Sequence, residues 1–427
     1  EISTRDWSSD VCSSDLEERP AHRRLWLTIS VCVGVGALLW FKYLNFLLSG
    51  FNLAGRLLGH DPGWFVHDIV LPAGISFYTF ESISYAVDVY RGKIRATRSL
   101  LDYSIFVAFF PKLVAGPIIR AGDLLPQLVR LPRPSAEDVR WGFTAIVWGL
   151  ALKCVLADTV GHVVNRIFDG TPNGIAENWA AGFLFGTQIF CDFAGYSTIA
   201  LGLGRLLGFT LPRNFDSPYA SVGFSDYWRR WHMSLSSWVR DYLYIPLGGN
   251  GGSLARTSVN LVVTMMICGL WHGANVTFVV WGGLHGVLLA IEHALRRLGT
   301  KHGGFEFLEP KKEAAAPFRL DAPRLATMAL TYVCVSLLWV FFRAVDLRQA
   351  MEVFGGLFSG PWSTGKFPPG LYVSTALVTI GHVVQRRWDV LGRIRDDDRT
   401  LTAALTAALL AIAFYSSEGQ DFIYFQF

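Results

Sequence analysis

The hydrophobic positions of this chain fall in long uninterrupted runs, and the most extended one has no charged residue between Thr257 and Ile291. A single helix over that run would be roughly 53 Å long, whereas the hydrocarbon core of a bilayer is about 30 Å thick. The run must therefore break, and we predict the break at the Gly- and Asn-containing cluster Gly269–Asn275. Because Arg256 and Arg296 bracket the run, both ends are predicted to be cytoplasmic, with His272 near the turn and inside the membrane.

Other apolar runs predict further membrane helices. The first extends from Leu25 to Gly55 and follows Arg19, Arg23 and Arg24, so it is predicted to start on the cytoplasmic side. The remaining runs are 64–90, 100–119, 141–157, 179–207, 325–342, 371–384 and 401–415. The run 100–119 contains two prolines and a lysine and is predicted to be short, broken or re-entrant. The run 179–207 is predicted to be interrupted at Asp192 and Gly195. Roughly nine to eleven spans are expected in all, allowing for re-entrant segments.

Two stretches do not fit a membrane span. Residues 211–250 are too charged to cross, and their aromatic and arginine content predicts helices lying at the membrane interface, with Trp228, Trp231 and Trp238 in an aromatic belt. Residues 1–16 are polar, rich in Ser and Asp and unlike the remainder, so we interpret them as a foreign or disordered leader. Residues 17–427 are then predicted to form one membrane domain.

Composition supports this interpretation. The chain is 52% hydrophobic and 17% charged, against about 25% charged in an average soluble domain. We therefore predict an all-α polytopic transmembrane helical bundle with re-entrant and interfacial helices. The six cysteines show neither a CxxC pair nor zinc-ligand spacing, so no metal site is predicted.

His272 is the first candidate for chemistry, because an ionisable group inside a membrane span is costly and such groups tend to line functional pathways. A neutral imidazole can take a proton from a hydroxyl, as acyl transfer to an alcohol requires. The small residues Gly269, Gly273 and Ala274 would let a substrate approach the backbone. The alternative is a hydrogen-bonded packing histidine at a helix break.

His232 is the second candidate, as a polar group that orients an acyl carbonyl or assists proton transfer. The alternative is an amphipathic side chain within the aromatic belt. The other histidines of the apolar faces are interpreted as core histidines with satisfied hydrogen bonds: His285, His293 and His382.

Three arginines of the interfacial run could bind the phosphates of a cytosolic donor such as a coenzyme A thioester: Arg229, Arg230 and Arg240. Lipid headgroups are the alternative partners of these residues. The nearby carboxylates are expected to pair with these arginines rather than to act in acid–base chemistry: Asp192, Asp226 and Asp241.

The motifs Asp226–Asn250 and Gly269–Asn275 together resemble those of the membrane-bound O-acyltransferase family. Supporting segments are Leu71–Phe80, Phe109–Pro117, Asp192–Tyr196, Phe341–Ala344 and Phe425–Phe427. The resemblance runs from about Leu25 to the end of the chain. Within the family, the chain is similar to the bacterial branch that takes part in alginate O-acetylation. Family members have further helices before the position of Leu25, which this chain is expected to lack.

The resemblance implies that His272 is the catalytic histidine, as general base or acyl relay, and that His232 is its polar companion. It also implies a central tunnel that the acyl donor enters from the cytosol. The donor is expected to be acetyl-CoA, with no tightly bound cofactor. Acetyl groups would cross the bacterial inner membrane to periplasmic SGNH-like acetyltransferases, which modify an exported polysaccharide. Alginate is the expected glycan, with peptidoglycan or another exopolysaccharide as alternatives, and no nucleic acid is expected as a partner.

Two functions of other classes remain open on the residues alone. In a polysaccharide or lipid transporter, the intramembrane histidine would be a proton relay. Transporters often carry paired repeats with broken helices in both halves, whereas one such centre stands out here. The third possibility is a non-catalytic scaffold in an envelope complex.

Overall fold

The computed structural model describes residues 22–60, 63–64, 69–70, 72, 74–113, 116–170, 174–302, 320–362, 369–416 and 422–423. These residues form helices and turns, with no β-strand among them, so the all-α prediction is confirmed. The predicted leader at 1–16 and the motif Phe425–Phe427 lie outside the described residues.

The described chain divides into two compact units, and the first lies within Glu1–Gly142 and Ala200–Pro212. Its helices are α1 (Arg23–Leu38), α2 (Leu44–Leu57), α3 (Ile75–Tyr90), α4 (Leu100–Ala108) and α5 (Ala121–Arg130), with the π-helical segment Leu39–Tyr43 joining the first two. The predicted break in 100–119 is confirmed, because α4 ends at Ala108 and α5 begins only at Ala121. Between these helices, Lys112 is buried and ion-paired with Glu81 of α3. The charge of the Lys112 ammonium is therefore enclosed by protein and compensated there.

The second unit lies within Phe143–Ile199 and Arg213–Phe427. The chain passes from one unit to the other within α6 (Ala136–Leu150) and α8 (Ile175–Leu206). Between these two helices come the π-helical segment Ala151–Ala157 and α7 (Asp158–Asp169). The helices that follow are α9 (Phe224–Arg230), α10 (Met233–Val239), α11 (Leu254–His272), α12 (Val276–His302), α13 (Ala322–Arg343), α14 (Leu347–Gly356), α15 (Pro369–Trp388), α16 (Val390–Asp396) and α17 (Asp398–Tyr415).

Helical stretches long and apolar enough to cross a membrane make this a multi-pass membrane protein. The described residues contain six of them: Arg23–Leu57, Ala136–Asp169, Leu254–His272, Val276–Gly299, Ala322–Arg343 and Asp398–Tyr415. The other runs that the sequence predicted as spans form helices that are shorter or more polar. Large apolar side chains on the first span, such as Val33, Trp40 and Leu53, are more than half exposed, as expected of a surface that faces lipid tails.

The interruption predicted in 179–207 is wrong, because α8 is continuous through Asp192 and Gly195. Asp192 does not break the helix, since its buried carboxylate is 2.9 Å from the Lys153 ammonium. Gly195 permits close packing, because a Cβ there would lie 2.8 Å from the carbonyl oxygen of Gly149. Both residues therefore contribute to the packing of α8 against the preceding helical segments.

Helices α11 and α12 form the predicted hairpin, and glycines bring their backbones into contact. A Cβ at Gly269 would lie 2.1 Å from the carbonyl oxygen of Phe278, and a Cβ at Gly282 would lie 2.1 Å from that of Met265. Small residues allow such close approach between membrane helices, where van der Waals packing replaces the hydrophobic effect as the driving force. The hairpin is thus a closely packed pair of helices, with His272 at the end of the first helix.

Candidate active site

His272 is the last residue of α11 and is 4% exposed. Three aromatic rings surround its imidazole edge-to-face: Trp271 at 4.8 Å, Trp281 at 5.3 Å and Phe342 at 5.1 Å between centroids. These rings come from both legs of the hairpin and from α13. The histidine therefore lies inside the protein, held by aromatic packing and shielded from lipid.

The turn after His272 is built by Gly273 and Asn275. A Cβ at Gly273 would lie 2.1 Å from the ring of Phe278, so this position requires glycine. The Asn275 side chain accepts a hydrogen bond from the N–H of Thr277 at 3.1 Å, which caps the start of α12. It also donates to the carbonyl oxygen of Val345 at 2.7 Å, which ties the turn to the chain following α13.

The hypothesis that Gly269 and Gly273 give a substrate access to the backbone is wrong. The space beside Gly269 is taken by the backbone of α12, and the space beside Gly273 is taken by Phe278. These glycines shape the hairpin, and a substrate must approach His272 by another route.

His232 occupies the position before α10 with an unusual backbone, φ 42° and ψ 56°. Left-handed conformations are uncommon outside glycine and persist when neighbouring contacts enforce them. Asn214 supplies those contacts, because its carbonyl oxygen accepts from Met233 N–H at 2.9 Å and its side chain accepts from the Ser234 hydroxyl at 2.6 Å. The Asn214 amide in turn donates to Ser197 on α8 at 3.0 Å. The backbone therefore fixes where the His232 ring points.

The His232 ring is fully buried and lies in the same aromatic cluster as His272. It stands edge-to-face against Phe193 at 4.5 Å and lies 6.3 Å from the ring of Trp271, which itself contacts His272. Neither of its nitrogens has a hydrogen-bond partner among the described residues. Burial lowers the pKa of His232 to about 3, so the imidazole is neutral at physiological pH. A neutral ring offers one donor and one acceptor to a ligand.

The aromatic-belt interpretation of the tryptophans in this run is wrong. Trp228, Trp231 and Trp238 are each at most 9% exposed and pack within the second unit. Trp231, for example, lies 5.1 Å from Trp339 of α13. These three tryptophans therefore pack inside the protein rather than facing lipid headgroups.

His285 departs from the prediction of a satisfied core histidine. It is fully buried on α12, yet neither nitrogen has a partner in the described chain. Its ring stacks on Tyr227 and meets Trp228 and Trp281 edge-to-face at 5.1 and 4.8 Å. His382 fits the prediction better, since its Nδ1 accepts from the Tyr219 N–H at 3.3 Å.

His293 also departs from that prediction. It is only partly buried, and its Nε2 has no hydrogen-bond partner among the described residues.

The predicted arginine–carboxylate pairs are confirmed for two aspartates. Asp226 lies 3.0 Å from Arg230, and Asp241 lies 2.7 Å from Arg240. Burial raises the pKa of Asp226, but the guanidinium groups of Arg386 and Arg230 outweigh it and leave that pKa below its ordinary value. Asp192 was expected to pair with an arginine and instead pairs with Lys153.

The three arginines proposed for donor phosphates differ in their surroundings. Arg229 is exposed, and Arg230 is engaged by Asp226 and, at 2.6 Å, by Asp216. Arg240 borders a cavity of about 120 Å³ whose wall comes from α9, α10, α11 and α12. The lining residues are Trp228, Leu235, Ser236, Val239, Arg240, Tyr244, Leu261, Thr264, Met265, Cys268 and Leu289. The role of all three arginines as phosphate contacts remains a prediction.

One face of α11 carries both cavity-lining residues and His272. Thr264 and Cys268 line the cavity, and His272 is the next residue at that four-residue spacing, so the three share one face of the helix. Sequence reasoning missed Thr264, although its spacing from His272 was the available signal. Cys268, at the cavity, therefore lies about 6 Å, roughly one helical turn, from His272 along the helix axis.

The candidate site therefore consists of His272, buried at the turn of the α11–α12 hairpin, with His232 in the same aromatic cluster and a cavity against α11. Residues 55–305 match the family model described as MBOAT, membrane-bound O-acyltransferase family. The chain belongs to the membrane-bound O-acyltransferase family, and it is a membrane acyltransferase.

Individual relatives agree with this family. A probable alginate O-acetylase of Pseudomonas syringae pv. tomato is 40% identical over 373 residues, covering 86% of this chain and 68% of the relative. A peptidoglycan O-acetyltransferase of Helicobacter pylori is 33% identical over 368 residues, covering 79% and 65%. A teichoic acid D-alanyltransferase of Bacillus subtilis is 27% identical over 250 residues, covering 55% and 62%.

Proposed function

We propose that this acyltransferase moves acetyl groups from a cytosolic thioester donor across the bacterial inner membrane for O-acetylation of an exported polysaccharide, with alginate as the glycan. The observation that carries the proposal is the burial of His272 at the hairpin turn, one helical turn along α11 from Cys268, which lines a cavity bordered by Arg240. The glycan is proposed from the 40% identity to an alginate O-acetylase. The lower identity to a peptidoglycan O-acetyltransferase makes peptidoglycan the second candidate.

His272 is proposed as the general base. Its imidazole accepts the proton of the acceptor hydroxyl while the hydroxyl oxygen attacks the thioester carbonyl carbon. The carbon–sulfur bond then breaks, and the leaving thiolate takes the proton back from the imidazolium. The aromatic shell of Trp271, Trp281 and Phe342 limits water around the reacting groups, which strengthens the electrostatic interactions among them.

His232 is proposed as the companion that orients the acyl carbonyl. Its ring is neutral, has no partner among the described residues and is held in direction by a backbone that Asn214 fixes. A preorganised N–H of this kind can stabilise the negative charge that develops on the carbonyl oxygen.

Arg240 is proposed to bind the phosphates of acetyl-CoA, which acts as a substrate rather than a tightly bound cofactor. The guanidinium is more than half exposed beside the cavity, where it can meet a polyanion from the aqueous side. Arg229 and Arg230 are proposed to add positive charge around this entry. On the far side of the membrane, periplasmic SGNH-like acetyltransferases are proposed to receive the acetyl group.

The proposal is tested by His272→Ala and His272→Gln in cells that export the polysaccharide. We expect normal insertion, normal polymer export and a loss of acetyl esters of about 10²- to 10⁴-fold, the usual contribution of a general base. The control is His293→Gln, which changes a histidine of the same hairpin away from the turn and should leave acetylation unchanged.

Ester analysis of alginate and of peptidoglycan distinguishes the two glycans. Acetylation retained with polymer export lost would favour a transporter instead. No effect on either would favour a scaffold.

A further inference from the structure

We propose that Gln349 is a positioning residue for His272 and acts through the linker of residues 344–346, which joins α13 to α14. Gln349 would touch neither the acyl donor nor the acceptor. It would instead fix the linker to which the turn of the α11–α12 hairpin is bonded. This inference rests on the proposed function, in which His272 is the general base.

The end of α13 and the linker contact the candidate site at two points. Phe342, near the end of α13, packs edge-to-face against the His272 imidazole with ring centroids 5.1 Å apart. Three residues later, the carbonyl oxygen of Val345 accepts a hydrogen bond from the Asn275 amide at 2.7 Å. Asn275 closes the turn that begins directly after His272. A displacement of the linker would therefore move both the ring beside the imidazole and the turn that follows it.

Gln349 holds the linker with both ends of its side-chain amide. Its Oε1 accepts from the N–H of Val345 at 3.0 Å, and its Nε2 donates to the carbonyl oxygen of Phe168 on α7 at 2.6 Å. Since the carbonyl oxygen of Val345 accepts from Asn275, a continuous chain of contacts runs from α7 through Gln349 and Val345 to the hairpin turn.

The alternative is that Gln349 serves only to cap α14. The Asp346 side chain caps this helix by accepting from the Gln349 N–H at 2.8 Å. A glutamine at the third helical position often bonds back to the start of its own helix, and the bond to Val345 fits that role. A local cap does not account for the bond to Phe168, which lies 181 residues away in the chain. Gln349 therefore joins the linker to a second helix.

Helix α7 also holds the chain before the linker. Arg343, the last residue of α13, donates to the Asn165 side chain at 2.9 Å, and its guanidinium lies 5.2 Å from the centroid of the Phe168 ring. The linker is therefore fastened to α7 on both sides of Val345. Removing the Gln349 amide removes the fastening on the side of α14.

The first experiment uses Gln349→Met, which removes both hydrogen bonds and keeps the length of the side chain. In cells that export the polysaccharide, the initial rate of acetyl ester formation per amount of inserted enzyme should fall about tenfold, because a displaced base slows the chemical step. The Kd for acetyl-CoA, measured with the full chain in detergent micelles, should stay within about twofold, since no contact with the donor is lost.

Gln127→Met is the matched control. Gln127 also bridges two backbone groups, because it accepts from the Thr210 N–H at 2.8 Å and donates to the Thr210 carbonyl oxygen at 3.1 Å. Both residues belong to the first unit, so the acetylation rate should stay unchanged. Thermal unfolding in detergent is measured for both variants. If both lose activity in proportion to their loss of thermal stability, the role of Gln349 is only structural and the inference is wrong.

The second experiment tests whether Gln349 acts through Val345. Asn275→Asp keeps the acceptor for the Thr277 N–H and loses the donor to the Val345 carbonyl oxygen. This change should lower the acetylation rate by itself. Adding Gln349→Met should then lower the rate much less than it does in the unmodified protein, because both changes interrupt the same chain of contacts. If the two effects multiply, Gln349 does not act through Val345 and the inference is wrong.

Two further results separate this inference from the proposed function. If His272→Ala abolishes acetylation while Gln349→Met leaves the rate unchanged, only the positioning role is wrong. A Kd for acetyl-CoA that rises in step with the loss of rate would also overturn that role, because Gln349 would then act on donor binding. If His272→Ala still acetylates the polymer, the proposed function itself is wrong.

Discussion

The imidazole of His272 stands perpendicular to the indole of Trp281, with ring centroids 5.3 Å apart and planes at 88°. The two residues belong to opposite legs of the α11–α12 hairpin. The same indole meets His285 at 4.8 Å. The location of the candidate base is therefore set by the leg that follows it, so the contact between the legs controls the site.

Gly282 tests that contact, because any side chain there meets the facing backbone. A Cβ at Gly282 would lie 2.1 Å from the carbonyl oxygen of Met265. We expect Gly282→Ala to lower the free energy of unfolding by about 1–3 kcal/mol, the usual cost of overpacking, and to abolish acetylation. Thermal unfolding and size-exclusion profiles in detergent measure the stability.

The adjacent glycine is the matched control. A Cβ at Gly283 would lie 3.4 Å from the Met266 side chain, an ordinary contact. Gly283→Ala should therefore keep both stability and activity. If Gly282→Ala and Gly283→Ala have the same stability and activity, the close backbone contact at Gly282 does not hold the hairpin together.

The buried charges of Lys153 and Asp192 predict strongly non-additive substitutions. Their side chains are 2.9 Å apart and almost inaccessible, and Asp192 also accepts from the Ile423 N–H at 2.8 Å. Lys153 also pairs with the buried carboxylate of Asp158 at 2.7 Å. Lys153→Met therefore leaves two buried carboxylates without their cation and should cost about 3–5 kcal/mol, whereas Asp192→Asn leaves Lys153 paired with Asp158 and should cost less. The double variant should cost clearly less than the sum of the single ones. Denaturant unfolding in mixed micelles measures all three.

An exposed pair provides the comparison for that cycle. Arg348 and Glu352 are 3.0 Å apart but mostly accessible to solvent. Glu352→Gln should therefore change the free energy of unfolding by less than about 1 kcal/mol. Additive effects at Lys153 and Asp192 would mean that the two charges do not depend on each other.

His232 predicts an acid-sensitive stability. Burial lowers its pKa to about 3 in the folded chain, whereas an unfolded histidine titrates near about 6.5. Between these values the unfolded state binds a proton that the folded state does not, so the contribution of His232 to stability falls as the pH is lowered and is constant above about pH 7. The slope approaches about 1.4 kcal/mol per pH unit.

His232→Asn isolates that contribution, because asparagine also tolerates a left-handed backbone. Between about pH 6 and 4, the free energy of unfolding of the variant should change less steeply with pH than that of the unmodified protein, because the contribution of His232 is gone. Chemical unfolding at a series of pH values measures the difference. His60→Asn, at an exposed position, should keep the slope. An identical slope with and without His232 would mean that its ring is protonated in the folded protein.

The sequence predicted the hairpin, because a charge-free run that exceeds the bilayer thickness has to break, and Gly273 and Asn275 marked where. It also singled out His272, since a titratable residue in such a run needs a compensating environment. These inferences depend on local composition, which hydropathy records directly.

The partners of buried groups could not be predicted in the same way. Asp192 suggested a helix break because its partner Lys153 lies on a different helix. Gly269 suggested room for a substrate because a glycine gives no sign of which backbone packs against it. The left-handed conformation of His232 depends on Asn214, a contact that forms only in the folded chain.

The backbone contact along Gly269 and Gly282 has a consequence for turnover. The two helices touch along these glycines and are joined by residues 273–275 alone, so one helix cannot slide past the other by a full turn unless that short connection is rebuilt. The α11–α12 hairpin therefore behaves as one rigid unit within the membrane. Any opening that admits a donor on one side and releases the acetyl group on the other must come from movement of the helices packed around this hairpin.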